Sequence, residues 1–366
     1  MKVICNRAEL QTAFQLAASV ISSRTIRPIH QNVKMEVEGS AVHLIATDGD
    51  VDIRVLVNEA AVKEPGVVLL PSVRIAGILR ESSDEEITVE TVEGGSLILG
   101  ADSRFKILAE PPDEFPEVGK LQDSVSFEIT GDILKDMILK TAFAAAQDTT
   151  RYSLNGVLFT LKQKNLVMVA TDGRRMAKVE RKLPKIIKKF DDIIVPTKAL
   201  NEVGRVMPSA DETVSVSISE REIIFSSGQN LVAARAVSGT FPRYEDAIPT
   251  DCDKKAELHA QQLLSAVRRA ALLTAIDARM VKFSFADGKV TLSSSSVEAG
   301  EATITVGADM NFESLEIAFN PNFVEEVLRV AEGDVITLEM KSRNTQAIAR
   351  SGANYLYVIM PVILPE

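Results

Sequence analysis

Three apolar runs, Val67-Val68-Leu69-Leu70, Ile193-Ile194-Val195 and Ile317-Ala318-Phe319, each read as the end of a buried strand. Each is followed, at once or after one residue, by a proline, and these prolines stand at 71, 196 and 321, a constant 125 residues apart. Ser72, Thr197 and Asn322 come next. Their side-chain oxygens are predicted to cap the unpaired amides of a helix start. A short helix is then expected, with Ile78, Val203 and Leu328 at one offset and Arg80, Arg205 and Arg329 near its end. An acidic turn follows (Ser83-Asp84-Glu85, Ala210-Asp211-Glu212, Glu332-Gly333-Asp334), and then an alternating strand. A pattern of this length recurring twice at one period describes one unit written three times.

Each unit also carries an earlier helical pattern, over Glu9 to Ile21, Asp132 to Ala146 and Gln261 to Leu273. Leu10, Phe14 and Ala17, then Leu134, Ile138 and Thr141, then Leu263, Val267 and Ala270 fall at helical spacing. Segments such as Val33 to Val37, Thr88 to Glu90, Val214 to Ile218 and Thr303 to Val306 alternate with period two, which predicts antiparallel strands with one face buried. Thr47-Asp48-Gly49 recurs as Thr171-Asp172-Gly173, and Phe115-Pro116 as Phe241-Pro242. Boundaries are expected near Pro- and Asp-rich stretches, giving domains 1–120, 121–250 and 251–366. Two helices and many strands per unit predict an α+β fold, with sheet on one side and helices on the other.

Composition narrows the class. The chain has 366 residues, 46% apolar and 25% charged, as in an ordinary soluble protein. Arg7 and Glu9 interrupt any secretory apolar core at the N-terminus, and no run reaches membrane-spanning length. Cys5 and Cys252 fit no zinc or CxxC spacing, so free thiols in a cytosolic protein are expected. The net charge of −10 argues against a surface that coats nucleic acid everywhere. The helix segments differ: they hold about ten basic residues (Arg7, Arg74, Arg80, Lys135, Lys140, Lys198, Arg205, Arg268, Arg269, Arg329) against about six acids. Charge segregated onto one layer is a footprint for a polyanion. Exposed helix faces carry such charge in any soluble protein, so both readings stand at this level.

Candidate chemistry is sparse. Asp48, Asp50 and Asp52 alternate, as for a divalent metal, but the glycine falls early for an EF-hand and no closing Glu follows. In the second unit the same positions read Asp172-Gly173-Arg174-Arg175, which favours a turn between strands. His30, His43 and His259 lie in no nucleophile motif, and Gly94-Gly95 is followed by no GK[ST]. Ser293 to Ser296 stands where the third unit would repeat the Thr-Asp-Gly turn. Three readings remain: a DNA-encircling scaffold without catalysis, a metal-dependent phosphohydrolase built on Asp48 to Asp52, and a repeat scaffold with protein partners only.

Four segments sharpen this. Arg24-Thr25-Ile26-Arg27-Pro28-Ile29, Arg151-Tyr152-Ser153-Leu154-Asn155-Gly156, Ala170-Thr171-Asp172-Gly173-Arg174-Arg175-Met176-Ala177 and Tyr357-Val358-Ile359-Met360-Pro361 stand in this order along the three units. In that combination the whole chain resembles the bacterial DNA polymerase III beta subunits, the replication sliding clamps. The resemblance implies a head-to-tail dimer closing a ring of six similar domains, with helices lining the hole and sheets outside. It implies no catalytic residue, no metal and no cofactor. It also implies double-stranded DNA encircled without sequence preference, replicative and repair polymerases and a clamp loader as partners, no membrane, and a cytoplasmic, nucleoid-associated location.

The resemblance carries residues with it. Arg24, Gln147 and Tyr152 match loop positions near DNA, and Arg74, Arg80, Lys198, Arg205 and Arg269 match inner-helix positions. A groove for partner peptides is implied at Arg151, Leu154, Thr171, Gly173, Arg174, Arg175, Met176, Pro242, Ala247, Val358, Met360, Pro361 and Val362. Taken from the residues alone, Met176 and Met360 read as ordinary core. Phe105, Ile107 and Leu108 are expected to meet Leu272 and Leu273 of a second copy, with Arg104 facing Glu298 and Glu301. The chain departs from the family pattern at Arg174, in place of a frequent histidine, and at Ser153, in place of a frequent tyrosine. Thr149-Thr150 lengthen a loop, and Pro365-Glu366 extend the terminus.

Overall fold

The computed structural model describes residues 1–22, 25, 27–108, 110–119, 124–147, 152–184, 189–207, 211–275 and 279–363. Six α-helices lie among the described residues: α1 (Arg7–Ala18), α2 (Ser72–Glu81), α3 (Gly131–Thr141), α4 (Thr197–Val206), α5 (Ala260–Ala271) and α6 (Pro321–Arg329). Each alternating segment named above lies in a strand, and the pairings of those strands are antiparallel. The chain forms two compact units, residues 1–135 with 184–236, and 136–183 with 237–366. These units cut across the repeats, because the second repeat contributes strands to both.

The first unit holds two sheets. One runs in the order Ala60–Glu64, Lys2–Asn6, Glu86–Val92, Gly95–Leu99, Arg104–Leu108. The other joins two repeats: Val125–Thr130, Thr213–Ile218, Glu222–Ser227, Asn230–Arg235, then Val51–Leu56, Ala41–Thr47, Asn32–Glu38, Gly66–Pro71. The join is the ladder between Asn230–Arg235 and Val51–Leu56. The second unit repeats it, with Tyr355–Ile359 laid against Arg175–Lys182. Its other sheet runs Gly300–Gly307, Lys289–Ser296, Val281–Ala286, Ser314–Phe319. There the serine run stays in the ladder to its end, where Ser296 faces Gly300, so the third repeat has strand where the others turn.

Core residues follow the expected periodicities. Leu10, Phe14 and Ala17 of α1, and Leu263, Val267 and Ala270 of α5, are all buried. The helix ends depart from expectation in several places. Pro71 (φ −57°) and Pro196 (φ −56°) occupy the cap positions themselves and make no side-chain bond, so Ser72 and Thr197 are the first helical residues. The fixed proline φ already directs the chain into the helix. At α6 the cap is Asn320, one residue before the proline, which accepts from the Asn322 amide at 3.0 Å. The helix expected through Ala146 ends at Thr141 and tightens into a 3-10 turn over Ala142–Ala144. The Thr141 hydroxyl donates back to the Met137 carbonyl at 2.7 Å, a bond that competes with the helix ladder.

Lys140 belongs to the basic helix positions in sequence, yet its side chain is buried. Its ammonium pairs with Asp136 at 2.6 Å and with Glu332, while Arg181 reaches the same two carboxylates at 2.7 Å each. Four charges thus neutralise one another inside the second unit, the condition under which a buried ammonium is tolerated. The hydrogen bond from Lys140 holds the Glu332 carboxyl below its ordinary range, against partial desolvation. A carboxyl depressed in the folded state stabilises above its unfolded pKa and stops doing so as pH falls through its folded pKa. Glu332→Gln is therefore expected to lower the melting temperature at about pH 7, with the gap to the parent closing by about pH 3. Parallel thermal melts at the two pH values check this, and an equal gap at both would refute it.

Candidate partner-binding groove

The second unit contains a turn whose hydrogen bonds are set by its sequence. In Thr171-Asp172-Gly173, the Asp172 Oδ1 accepts from the amides of Arg174 (2.8 Å) and Arg175 (3.0 Å), and the Thr171 hydroxyl accepts from Gly173 at 3.0 Å. Gly173 takes φ +87°, open to glycine without strain. The turn launches strand Arg175–Lys182 so that Met176 faces Thr171 on one side and Val358 on the other. Val358 in turn faces Ile348. Thr171, Met176, Val358 and Ile348 thus form one row across four strands, on one face of the sheet.

That row borders an apolar floor. Met176, Val358 and Ile348 cluster with Leu158, Val167, Val169, Tyr244 and Leu356, and Phe241, Ile248 and Cys252 pack against them half-buried. Pro242 and Ala247 are exposed on the same 241–252 segment, and Met360 is 42% exposed at the end of the row. The Met360 amide donates to the Arg174 carbonyl at 2.9 Å, and the Val362 amide donates to the Ala318 carbonyl at 2.8 Å. The C-terminal stretch is thereby fastened to the turn. Exposed Met360 and Arg174 thus stand at the edge of a buried apolar cluster, residue types suited to an adaptable contact surface.

The implied groove residues are not alike. Val358 is part of the buried floor, and Leu154 is buried too. Arg175 is committed internally. Its guanidinium pairs with Asp172 at 3.1 Å and with Glu326, donates to the Phe143 carbonyl at 2.8 Å, and lies 4.5 Å from the Phe323 ring centre. It braces the turn against α6. Tyr244, Phe241, Ile248 and Ile348 are not among the groove residues that the resemblance implies. The Phe-Pro repeat at 241 was the only signal for them, and it marked a boundary, not a floor. Burial raises the Tyr244 hydroxyl above its ordinary pKa, although Lys162 lies 4.7 Å from its ring centre.

The remaining implied residues lie elsewhere. Arg74, Arg80 and Arg269 are exposed on their helices, with Arg80 bonded to Glu81 at 2.8 Å. Arg205 donates to the buried Glu202 at 3.1 Å. Lys198 is less free than its helix position implies, because its ammonium donates to the Val20 carbonyl at 2.7 Å and pairs with Asp48. Gln147 and Tyr152 are both exposed. Phe105, Leu108 and Leu272 are exposed, and Ile107 and Leu273 half-buried. Arg24, Thr149, Thr150, Arg151, Pro365 and Glu366 lie outside the described residues. The Asp48 to Asp52 spacing builds a turn: one Asp48 oxygen takes the amides of Asp50 (3.0 Å) and Val51 (2.8 Å), and the other takes Lys198. Both thiols are free, and burial raises Cys5 to a pKa of about 12.

Comparison with known proteins fixes the family. Domain models of the DNA polymerase III beta subunit match in order: the N-terminal domain over residues 1–119, the central domain over 128–243 and the C-terminal domain over 245–363. The chain belongs to the DNA polymerase III beta subunit family. It is 30% identical to the beta sliding clamp of Pseudomonas aeruginosa, covering 100% of both chains. It is also 30% identical to that of Chlamydia trachomatis, covering 100% of this chain and 88% of the relative. The crystal structure of the Pseudomonas aeruginosa beta subunit superposes with a TM-score of 0.92 at 30% identity over 100% of both chains. A Bartonella birtlesii sliding clamp solved with griselimycin superposes with a TM-score of 0.93 at 28% identity, again over 100% of both.

Removing the brace at Arg175 tests whether the row depends on it. Arg175→Ala leaves Asp172 and Glu326 without their cation. It is expected to destabilise the folded chain by roughly 3 kcal/mol, in the range for breaking a buried pair. Denaturant unfolding measures the change, and a loss below about 1 kcal/mol, typical of exposed pairs, would show that the guanidinium is not structural.

Proposed function

We propose that this chain is a replication sliding clamp: two copies join head to tail into a closed ring around duplex DNA, without sequence preference. The ring tethers the replicative polymerase and receives the clamp loader and repair polymerases through the groove of the second unit. It has no catalytic site of its own and acts in the cytoplasm at the nucleoid. The domain limits are placed near residues 120 and 250. The observation that carries this reading is the match of all three repeats, in order, to the three family domains.

The sheet edges support the head-to-tail contact. Within the chain, the last strand of one repeat pairs with the strand after the Thr-Asp-Gly turn of its neighbour, as Asn230–Arg235 does with Val51–Leu56. By the same pattern Arg104–Leu108 and Gly300–Gly307 are left over, each the outermost strand of its sheet. Long unpaired edges are sites for pairing with a second chain. One edge carries Arg104 and Lys106, the other Glu301, so the two have opposite charge. Phe105 and Leu108 on one side and Leu272 on the other supply exposed apolar area, worth about 1.5–3 kcal/mol for each side chain fully buried. Leu272→Ala with Leu273→Ala is expected to yield monomers in analytical ultracentrifugation, and an undisturbed dimer would remove this contact.

The function itself is tested by topology. The protein is loaded onto nicked circular DNA with a clamp loader, and the DNA is then linearised. Retention on the circle in high salt, with release on cutting, is the expected result. Release by salt alone, with no effect of cutting, would mean ordinary electrostatic binding and end the ring reading.

A further inference from the structure

The first unit contains a twin of the groove with opposite chemistry. Its Thr47-Asp48-Gly49 turn makes the same bonds as the turn at 171, and the Arg235 amide donates to the Asp50 carbonyl at 2.9 Å, as Met360 does to Arg174. The cross-strand row is reproduced as well. Thr47 faces Asp52, Asp52 faces Ala233, and Ala233 faces Ile224, where the second unit has Thr171, Met176, Val358 and Ile348. Duplication has kept the backbone and changed the side chains. Asp52 replaces Met176, Ala233 replaces Val358 and Arg235 replaces Met360.

These changes open the site and charge it. All four residues of the row line a cavity of about 810 Å³. Pro116 of the repeated Phe-Pro pair forms part of its wall, as expected of a counterpart to Pro242. Asp50, Asp52, Glu117 and Glu222 face it along with two guanidinium groups, Arg27 and Arg235. Burial pushes the Asp52 carboxyl above its ordinary range, while the Thr47 hydroxyl and Arg235 draw it back. His30 adds an independent observation. Its side chain is 4% exposed and lines the cavity, and its Nε2 has no hydrogen-bond partner among the described residues. A buried ring nitrogen without a partner is costly unless something supplies one.

We propose that this cleft is a second peptide site, selecting a short segment that bears Lys or Arg side chains. The occupant's class follows from two features. The backbone frame is that of the second-unit groove, so a peptide rests on the reading of that groove given above. The lining is carboxylate-rich and not apolar, so the side chains it selects are cationic. An Arg or Lys head group over Asp52 and Glu222 would replace the contacts that Met176 and Val358 offer an apolar residue in the other groove. The two sites would then sort partners by chemistry without competing.

The test uses full-length protein with ¹³C-labelled Ala, Ile and Val methyls, titrated with two hexapeptides. One contains Arg, Lys and Gly; the other has polar residues ending in Leu and Phe. The cationic peptide is expected to shift Ala233, Ala234 and Ile224 saturably. Asp52→Asn with Glu222→Gln should weaken it about tenfold or more. The charge-matched pair Glu64→Gln with Glu93→Gln, exposed elsewhere on the unit, should leave binding within about twofold. No saturable shift at those methyls, equal weakening by both pairs, or equal displacement by spermidine would each overturn the proposal. The wild-type methyl map decides the matter even where the cleft variant fails to fold. Absence of shifts at Ile348 and Val358 with the apolar peptide would instead count against the second-unit groove, so the two failures are distinguishable.

Discussion

The structure depends on one repeated interaction: the pairing of a repeat's last strand with the strand that follows its neighbour's Thr-Asp-Gly turn. A sheet edge left open is a liability, and here the second repeat closes the first one's edge and the third closes the second one's. The turn makes this geometrically definite. Aspartate binds two successive amides and glycine reverses the chain, so the following strand leaves in a single register. A one-residue slip would turn Met176 or Asp52 to the opposite face. The amide-to-carbonyl bonds from Arg235 to Asp50 and from Met360 to Arg174 then fix the end of each joined ladder.

The same device aligns side chains across strands. Each join brings a row of four side chains to one face, and what the row does depends on which residues occupy it. With Met176 and Val358 it becomes an apolar floor. With Asp52 and Ala233 it lines a polar cleft. The third repeat lacks the turn, and its strand Lys289–Ser296 runs on beside Gly300–Gly307. That repeat therefore ends on an open edge in place of a third joined row.

Much of this was legible in the sequence. The 125-residue period located α2, α4 and α6, and helical spacing found the buried faces of α1 and α5. Less visible was anything decided by contacts distant in sequence. Ser72 and Thr197 look like caps because hydroxyls cap helices, but the preceding prolines take the cap positions and place them one residue inside the helix. Lys140 and Lys198 look like surface cations on their helices. Partners 192 and 150 residues away decide otherwise. The family residues named for the groove were its rim and part of its floor. Tyr244 and Ile348 remained hidden because neither stands in a pattern of its own; they join the cluster through folding.

Charge pairing bears directly on how a ring holds DNA. The helix layer has a basic excess in sequence, yet Arg80, Arg205 and Arg329 are bonded to carboxylates on their own helices, and Lys198 to Asp48. Each phosphate that a free cation neutralises adds affinity and salt dependence, and affinity at fixed points opposes sliding. Cations already paired to nearby carboxylates soften the local potential without removing it. The Arg80–Glu81 pair, exposed at both ends, contributes little to stability. In a closed ring, attachment comes from topology. The inner charge then needs only to keep the duplex from adhering to one wall, and a weak, internally compensated field meets that requirement better than a strongly basic one.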